Sequence, residues 1–224
     1  MHYTLQFGQI WQYLPDLAAG ALLSFWIALL AFAGGLALGL AGALLRVHGP
    51  APLSAIARGF VIFFTNTPQL VQIYFLYFTL PDLGLLLSPF MAVLIGMTLN
   101  GGAYLTEILR GGLLSVRRTE MDAADVLGFP RRLTLRLVVL PHLARTIYPA
   151  LSNQYIIMTL GTSMAAVFGV EELTGRAFSI EAQTFRSIEI FSITAGFYIA
   201  ITAVASLLLT GLGRSLVRHR SRAA

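Results

Sequence analysis

The sequence predicts an all-α membrane protein, a single domain over residues 1–224 that crosses the bilayer five times. Three observations carry that expectation. Only 11% of the residues are charged while 57% are hydrophobic, and mean hydropathy is +0.77. A soluble domain carries about 25% charged residues, so a chain this poor in charge cannot cover a water-facing surface. The charges that exist sit at the edges of five long uncharged runs, and all 15 basic residues are arginines placed unevenly between alternate connections.

The runs cover 17–45, 59–81, 83–106, 146–170 and 190–213. Each is long enough for a spanning helix, which needs about 20 apolar residues, and the spans are placed at 17–45, 59–81, 86–108, 146–168 and 190–213. Continuous helix is expected, because hydrocarbon satisfies no exposed backbone group and a closed barrel would show alternating segments of about ten residues. In the first run Gly34-Gly35 and Gly39 permit close helix packing or a bend.

An odd number of spans puts the termini on opposite sides. With the N-terminus outside, Arg46, Arg58, the seven arginines from Arg110 to Arg145 and the four from Arg214 to Arg222 lie inside, leaving only Arg176 and Arg186 outside. The positive-inside rule therefore sets the N-terminus outside and the C-terminus in the cytoplasm. The tail Arg214–Arg222 reads as an anchor to anionic lipid headgroups, and no nucleic-acid partner is expected. Residues 1–16 lack the basic n-region of a secretory signal.

One inner connection, 113–141, is far longer than the other, and long connections usually carry structure or function. Thr119 is placed as the N-cap of a short helix over 120–127, Gly128 as its left-handed stop, and Pro130 in the first turn of a second short helix carrying Leu133, Leu135 and Leu137. Such a helix–Gly–helix loop offers a knob to a soluble partner.

Asp122-Ala123-Ala124, Leu127-Gly128 and Leu140-Pro141 in this loop resemble the EAA loop of ABC importer permeases. Three further segments resemble those of the polar amino acid permeases: "FFTNTPQLVQIYFLYF" at 63–78, "LNGGAYLTEILRGGLLSV" at 99–116 and "GTSMAAVFGVEELTGRA" at 161–177. The likeness runs from about residue 18 to 213, in order and in register. It implies a type I ABC importer permease in a bacterial cytoplasmic (inner) membrane, moving polar amino acids by alternating access. Asp122, Ala123, Ala124 and Gly128 would then couple to a separate ATP-binding cassette ATPase dimer that binds ATP and Mg, leaving no cofactor in this chain. An extracytoplasmic solute-binding protein would deliver the solute, and a second permease chain would complete the pathway. The family commonly has arginine at Thr65, glutamate at Asp122, and lysine then an acidic or amide residue at Leu160 and Gly161. Loss of those cations favours a heterodimer whose sister chain supplies them, and a cationic or neutral solute.

Several polar residues lie within or near the spans. Glu107 either pairs with Arg110 three residues on or faces the pathway and meets a substrate ammonium. Asn100, Gln72, Asn153, Gln154, Thr162 and Ser163 either bond the α-amino and α-carboxylate groups of a substrate or cross-link helices. Asn100 and Gln72 are preferred, because Gly101-Gly102 and Thr67-Pro68 permit irregular backbone beside them. Glu171, Glu172 and Arg176 form either a solvated outer loop or a docking face for the binding protein. Tyr74, Phe75, Tyr77 and Phe78 read as an interfacial belt and packing surface, or as a cage for a guanidinium. There is no cysteine, and no lysine for a P-loop. His2, His48, His142 and His219 are scattered, so neither a metal site nor a catalytic residue is expected. A stand-alone secondary transporter or channel is the alternative function; it predicts an inverted repeat or mid-span ionisable groups, and neither is evident.

Overall fold

The computed structural model describes residues 4–218. His2, His219, Arg220 and Arg222 lie outside the described residues, as do the side chains of Arg214 and Arg218. All regular structure among the described residues is helical, as the composition requires. The α-helical elements are α1 (Leu14–His48), α2 (Ala51–Thr65), α3 (Gln69–Tyr74), α4 (Pro89–Ser115), α5 (Arg118–Val126), α6 (Arg131–Thr134), α7 (Leu140–Gly161), α8 (Leu173–Thr184) and α9 (Ser187–Arg218). Three helical stretches, Phe7–His48, Pro89–Ser115 and Ser187–Gly211, are long and apolar enough to cross a membrane. A fourth, Arg131–Phe168 with α8, qualifies as a pair bent by 46°.

Helix across the whole run 59–81 is not what forms. Asn66–Pro68 separates α2 from α3, which gives way to a π turn at Phe75–Thr79 and a 3₁₀ turn at Leu80–Leu83. Pro68 has no N–H to continue the ladder and disfavours helical backbone at Thr67. A second π turn, Leu135–Val139, stands in the same relation to Leu140-Pro141 as the first does to Leu80-Pro81. A proline ring clashes with the carbonyl four residues earlier, and the wider turn makes room for it.

The inner loop departs from its expected form in three details. The first helix starts at Arg118, so Thr119 lies in its first turn and Arg117 is the cap, without a side-chain bond. Pro130 is the extended residue before α6 and not its first turn. The expected second short helix is no separate element: α6, the π turn and α7 run on as one rod from Arg131. Gly128 is the left-handed stop, at φ +70°.

The chain forms two compact units. The first comprises residues 1–33, 68–98 and 155–206. Ile27, Ile73, Val93, Met97 and Phe168 are the centre of one cluster there, and Ile10, Leu17, Leu173 and Ile190 of another. The second unit, residues 34–67, 99–154 and 207–224, is built on close backbone approach. A Cβ on Gly35 would stand 3.1 Å from the Gly102 nitrogen, and one on Gly39 would stand 2.7 Å from Leu105 Cβ and 3.0 Å from its carbonyl carbon. Small residues let helices approach this closely where lipid supplies no hydrophobic drive between them. The packing role expected of Gly35 and Gly39 is therefore observed.

Candidate functional site

In the second unit the end of α2 dictates what α4 must supply. The last four carbonyls of a helix have no partner within it, and an unsatisfied one is costly wherever water is excluded. Here each has a donor. Ile62 O accepts from the Asn66 N–H (3.2 Å) and Phe63 O from the Thr67 hydroxyl (2.8 Å). Phe64 O accepts from Asn100 Nδ2 (2.9 Å) and Thr65 O from the Tyr104 hydroxyl (3.4 Å). Asn100 and Tyr104 stand one helical turn apart on α4, so one face of that helix closes the broken end of another. Asn100 thus makes a helix cross-link; Tyr104, its companion, was legible only as an i,i+4 neighbour. Replacing Asn100 by leucine removes one donor at near-constant volume and should cost about 0.6–1.7 kcal/mol. Thermal inactivation in detergent measures it, and Asn100→Gln should recover part of the loss.

Glu107 lies two turns further along α4. Its Oε2 accepts from Arg110 Nη2 (2.6 Å) and Nε (3.0 Å), the intrahelical partner foreseen. Its Oε1 accepts from Arg46 Nη1 at 2.6 Å, near the end of α1 and 61 positions away. Both oxygens are therefore engaged, and the cluster carries a net +1. Asn153 is exposed, whereas Gln154 is buried.

The first unit holds Gln72, Thr162 and Ser163. Gln72 is buried on α3, beside core residue Ile73. Thr162 and Ser163 open the 3₁₀ turn that follows α7 and give their hydroxyls to the carbonyls of Thr159 (2.8 Å) and Leu160 (2.9 Å). Phe168, which closes that turn, meets the rings of Tyr74, Tyr77 and Phe78. Tyr74, Tyr77 and Phe78 therefore pack around one ring, while Phe75 stays exposed. Thr65 turns its hydroxyl back to Val61 O (2.7 Å).

Glu172 corrects the reading of the segment after α7. It is fully buried, so it belongs neither to a solvated loop nor to a docking face. As N-cap of α8 its Oε1 accepts the N–H groups of Thr174 (2.9 Å) and Gly175 (3.0 Å). Its Oε2 accepts the hydroxyls of Ser24 on α1 (2.8 Å) and Tyr198 on α9 (3.0 Å). One carboxylate thus ties three helices, and Gly20 leaves room for it: a Cβ there would lie 2.9 Å from Leu173 Cα. Glu171 stays exposed, and Arg176 reaches Asp16 at 3.6 Å.

The inner loop belongs to the second unit. α5 ends in paired bonds, Phe129 N–H to Ala124 O (3.0 Å) and Gly128 N–H to Asp125 O (2.9 Å), the Schellman arrangement. Asp122 and Ala123 are exposed and Ala124 is buried. Beneath them an open groove of 1070 Å³ runs between α5 and the rod, lined by Ala123, Leu127, Phe129, Leu133, Leu137 and Pro141 among others. Of the four loop residues singled out from sequence, Asp122, Ala123 and Gly128 are therefore exposed at the end of α5, and Ala124 faces inward. No group of three or more His, Asp or Glu side chains able to hold a metal occurs among the described residues.

Comparison with known proteins covers nearly the whole chain. A model of the family described as "Binding-protein-dependent transport system inner membrane component" matches residues 35–222. The glutamine transport system permease protein GlnP of Escherichia coli (strain K12) is 40% identical over 209 residues, 92% of this chain and 95% of that protein. The octopine transport system permease protein OccM of Rhizobium meliloti is 34% identical over 222 residues, 95% of this chain and 91% of that protein. Among solved structures, a crystal structure of an amino acid ABC transporter with histidines superposes with a TM-score of 0.87 at 30% identity. That match covers 95% of this chain and 100% of the other.

Proposed function

We propose that this chain, which belongs to the family of binding-protein-dependent transport system inner membrane components, is the permease subunit of an ATP-driven importer of polar amino acids. The observation that carries the reading is the presented turn Asp122–Gly128, standing on a chain that aligns end to end with glutamine and octopine permease proteins. The membrane is the bacterial inner membrane, as the family description implies. We take the architecture as one permease domain over 1–224 with five spans, N-terminus outside and C-terminus in the cytoplasm, the second span being carried by α2 and α3 across their break.

Two permease chains pack about a pseudo-two-fold axis, as a homodimer or, favoured by Thr65 and Leu160, a heterodimer. An ATPase dimer docks on loop 113–141 and holds ATP and Mg; this chain performs no chemistry and carries no cofactor. ATP binding closes the ATPases, the loops carry that movement to the spans, and the cavity opens outward to a solute-binding protein. Hydrolysis returns it to the inward state. Glu107, Asn100, Gln72, Asn153, Thr162 and Ser163 are taken as the candidates for the pathway. Because Glu107 is compensated by Arg46 and Arg110, it offers little attraction to a substrate cation, which supports a neutral polar amino acid.

The test is uptake into proteoliposomes holding the reconstituted complex. Uptake should require enclosed ATP and persist when ionophores collapse the ion gradients. Uptake without ATP that vanishes with the gradients would instead identify a secondary transporter. Competition by glutamine, and weaker competition by arginine and glutamate, would support the neutral substrate.

A further inference from the structure

A loop that transmits movement must be fixed to the spans it moves, and one side chain stands where α4, α5 and α7 meet. His142 stands in the first turn of α7. Its Nε2 lies 3.0 Å from Ser115 Oγ, the last residue of α4. Ser115 has a single hydroxyl hydrogen and gives it to Gly112 O at 2.7 Å. With that hydrogen on Gly112 O, the hydroxyl offers His142 a lone pair, which suits a hydrogen on Nε2. On the other side of the ring, Nδ1 lies 3.7 Å from Glu120 Oε2, in the first turn of α5. That distance is too long for a hydrogen bond, so the Glu120 carboxylate stands beside the ring without one. The ring thus spans from the end of α4 to α5 while rooted in α7.

We propose that His142 is a positioning residue of the coupling loop, holding α5 in register with the ends of α4 and α7 so that displacement of the loop reaches the spans. The proposal rests on the coupling role assigned to that loop under the proposed function. Without the ring, α5 keeps its own helix and its Gly128 stop, because neither involves His142. What it loses is its contact with the ring at Glu120, while the ends of α4 and α7 lose the side-chain link between them. Movement of α5 would then dissipate locally, and ATP would be consumed with less solute carried.

The experiment measures solute taken up per ATP hydrolysed in proteoliposomes of the complete importer. Interactions along a coupling route are worth about 0.5–2 kcal/mol, so His142→Ala should lower the ratio about 2-fold or more. Glutamine places an amide nitrogen near the position of Nε2, and His142→Gln should restore a large part of the ratio. His142→Leu, of similar volume but without a donor, should stay as low as alanine, whereas a general packing role would let it recover. Ser115→Ala combined with His142→Ala should be no worse than His142→Ala alone, because both remove the same link. Should His142→Ala fail to assemble, Ser115→Ala, which removes the link to α4 but keeps the ring beside Glu120, should lower the ratio by part of that amount. An unchanged ratio in Ser115→Ala or His142→Ala, or a His142→Gln variant as defective as alanine, overturns the proposal. Replacement of Asp122 separates this failure from that of the wider reading. If it lowers the ratio while His142→Ala does not, the loop still couples and only His142 is misassigned; if wild-type uptake needs no ATP, the proposed function itself falls.

Discussion

Replacing Glu172 by alanine should destabilise the first unit more than any other single truncation of a polar side chain described above. Four donors converge on its two oxygens, and the residue is fully buried. The two hydroxyls have fallbacks, since Ser24 already reaches Gly20 O at 3.2 Å and Tyr198 lies 2.8 Å from the Thr174 hydroxyl. The N–H groups of Thr174 and Gly175 have no helical carbonyl to turn to, because they open α8. A buried donor left unsatisfied costs about 1–3 kcal/mol, so the variant should lose about 2–5 kcal/mol and inactivate at markedly lower temperature. Glutamine should be an incomplete substitute. Its amide oxygen can replace one carboxylate oxygen, but its NH₂ group then faces donors. Aspartate would cap α8 while falling short of Ser24 and Tyr198. Thermal inactivation in detergent across alanine, glutamine and aspartate should give the order alanine worst, with both others intermediate. Alanine equal to wild type would mean that Glu172 is not the tie between α1, α8 and α9.

The second large effect is expected at Gly39. Its α-carbon faces the backbone of α4, where the carbonyl carbon of Leu105 and the nitrogen of Thr106 would stand 3.0 and 3.1 Å from an added Cβ. Backbone cannot rotate aside as a side chain does, so Gly39→Leu must separate the second half of α1 from α4. Overpacking costs about 1–3 kcal/mol where side chains can give way, and more is expected here. The same displacement would pull Arg46 from Glu107, since both lie further along the same helix pair. Gly39→Leu should therefore abolish assembly or leave a complex that loses activity within a few degrees of growth temperature. Gly59, whose Cβ would meet nothing within 4 Å, is the matched control, and Gly59→Leu should be near neutral.

How far the sequence reaches is clear from particular residues. The helical class and the membrane call for nothing beyond charge spacing, because the cost of burying charge in lipid acts on every residue alike. The presented loop was legible for a local reason: glycine at a left-handed position and proline after it are decided within a few residues. Its details slipped by one or two positions at Thr119 and Pro130, where neighbouring residues compete to start a helix. The break at 66–68 was visible as Thr67-Pro68 but not its consequence, since the donors that close it lie 36 and 39 positions on. Glu172 was misread for the same reason. Beside Glu171 it looks like a pair of surface acids, and its partners Ser24 and Tyr198 are brought to it only by the tertiary fold. One signal did exist. An acid directly before Leu173, Ala177 and Ile180, the buried stripe of α8, stands where an N-cap belongs. The substrate pathway was the least legible of all, because a polar side chain in a span serves a ligand or a neighbouring helix with the same hydrogen-bonding group.

The central claim is that the turn at Asp122–Gly128 is where an ATPase grips this chain. The sequence contains no cysteine, so Ala123→Cys introduces a unique thiol on the exposed face of that turn. In the assembled importer, paired with single cysteines placed around the ATPase surface, it should form a disulfide with one of them, and ATP-driven uptake should stop until the bond is reduced. Uptake that continues unchanged while the thiol stays freely accessible, with no ATPase position able to bridge to it, would contradict the account.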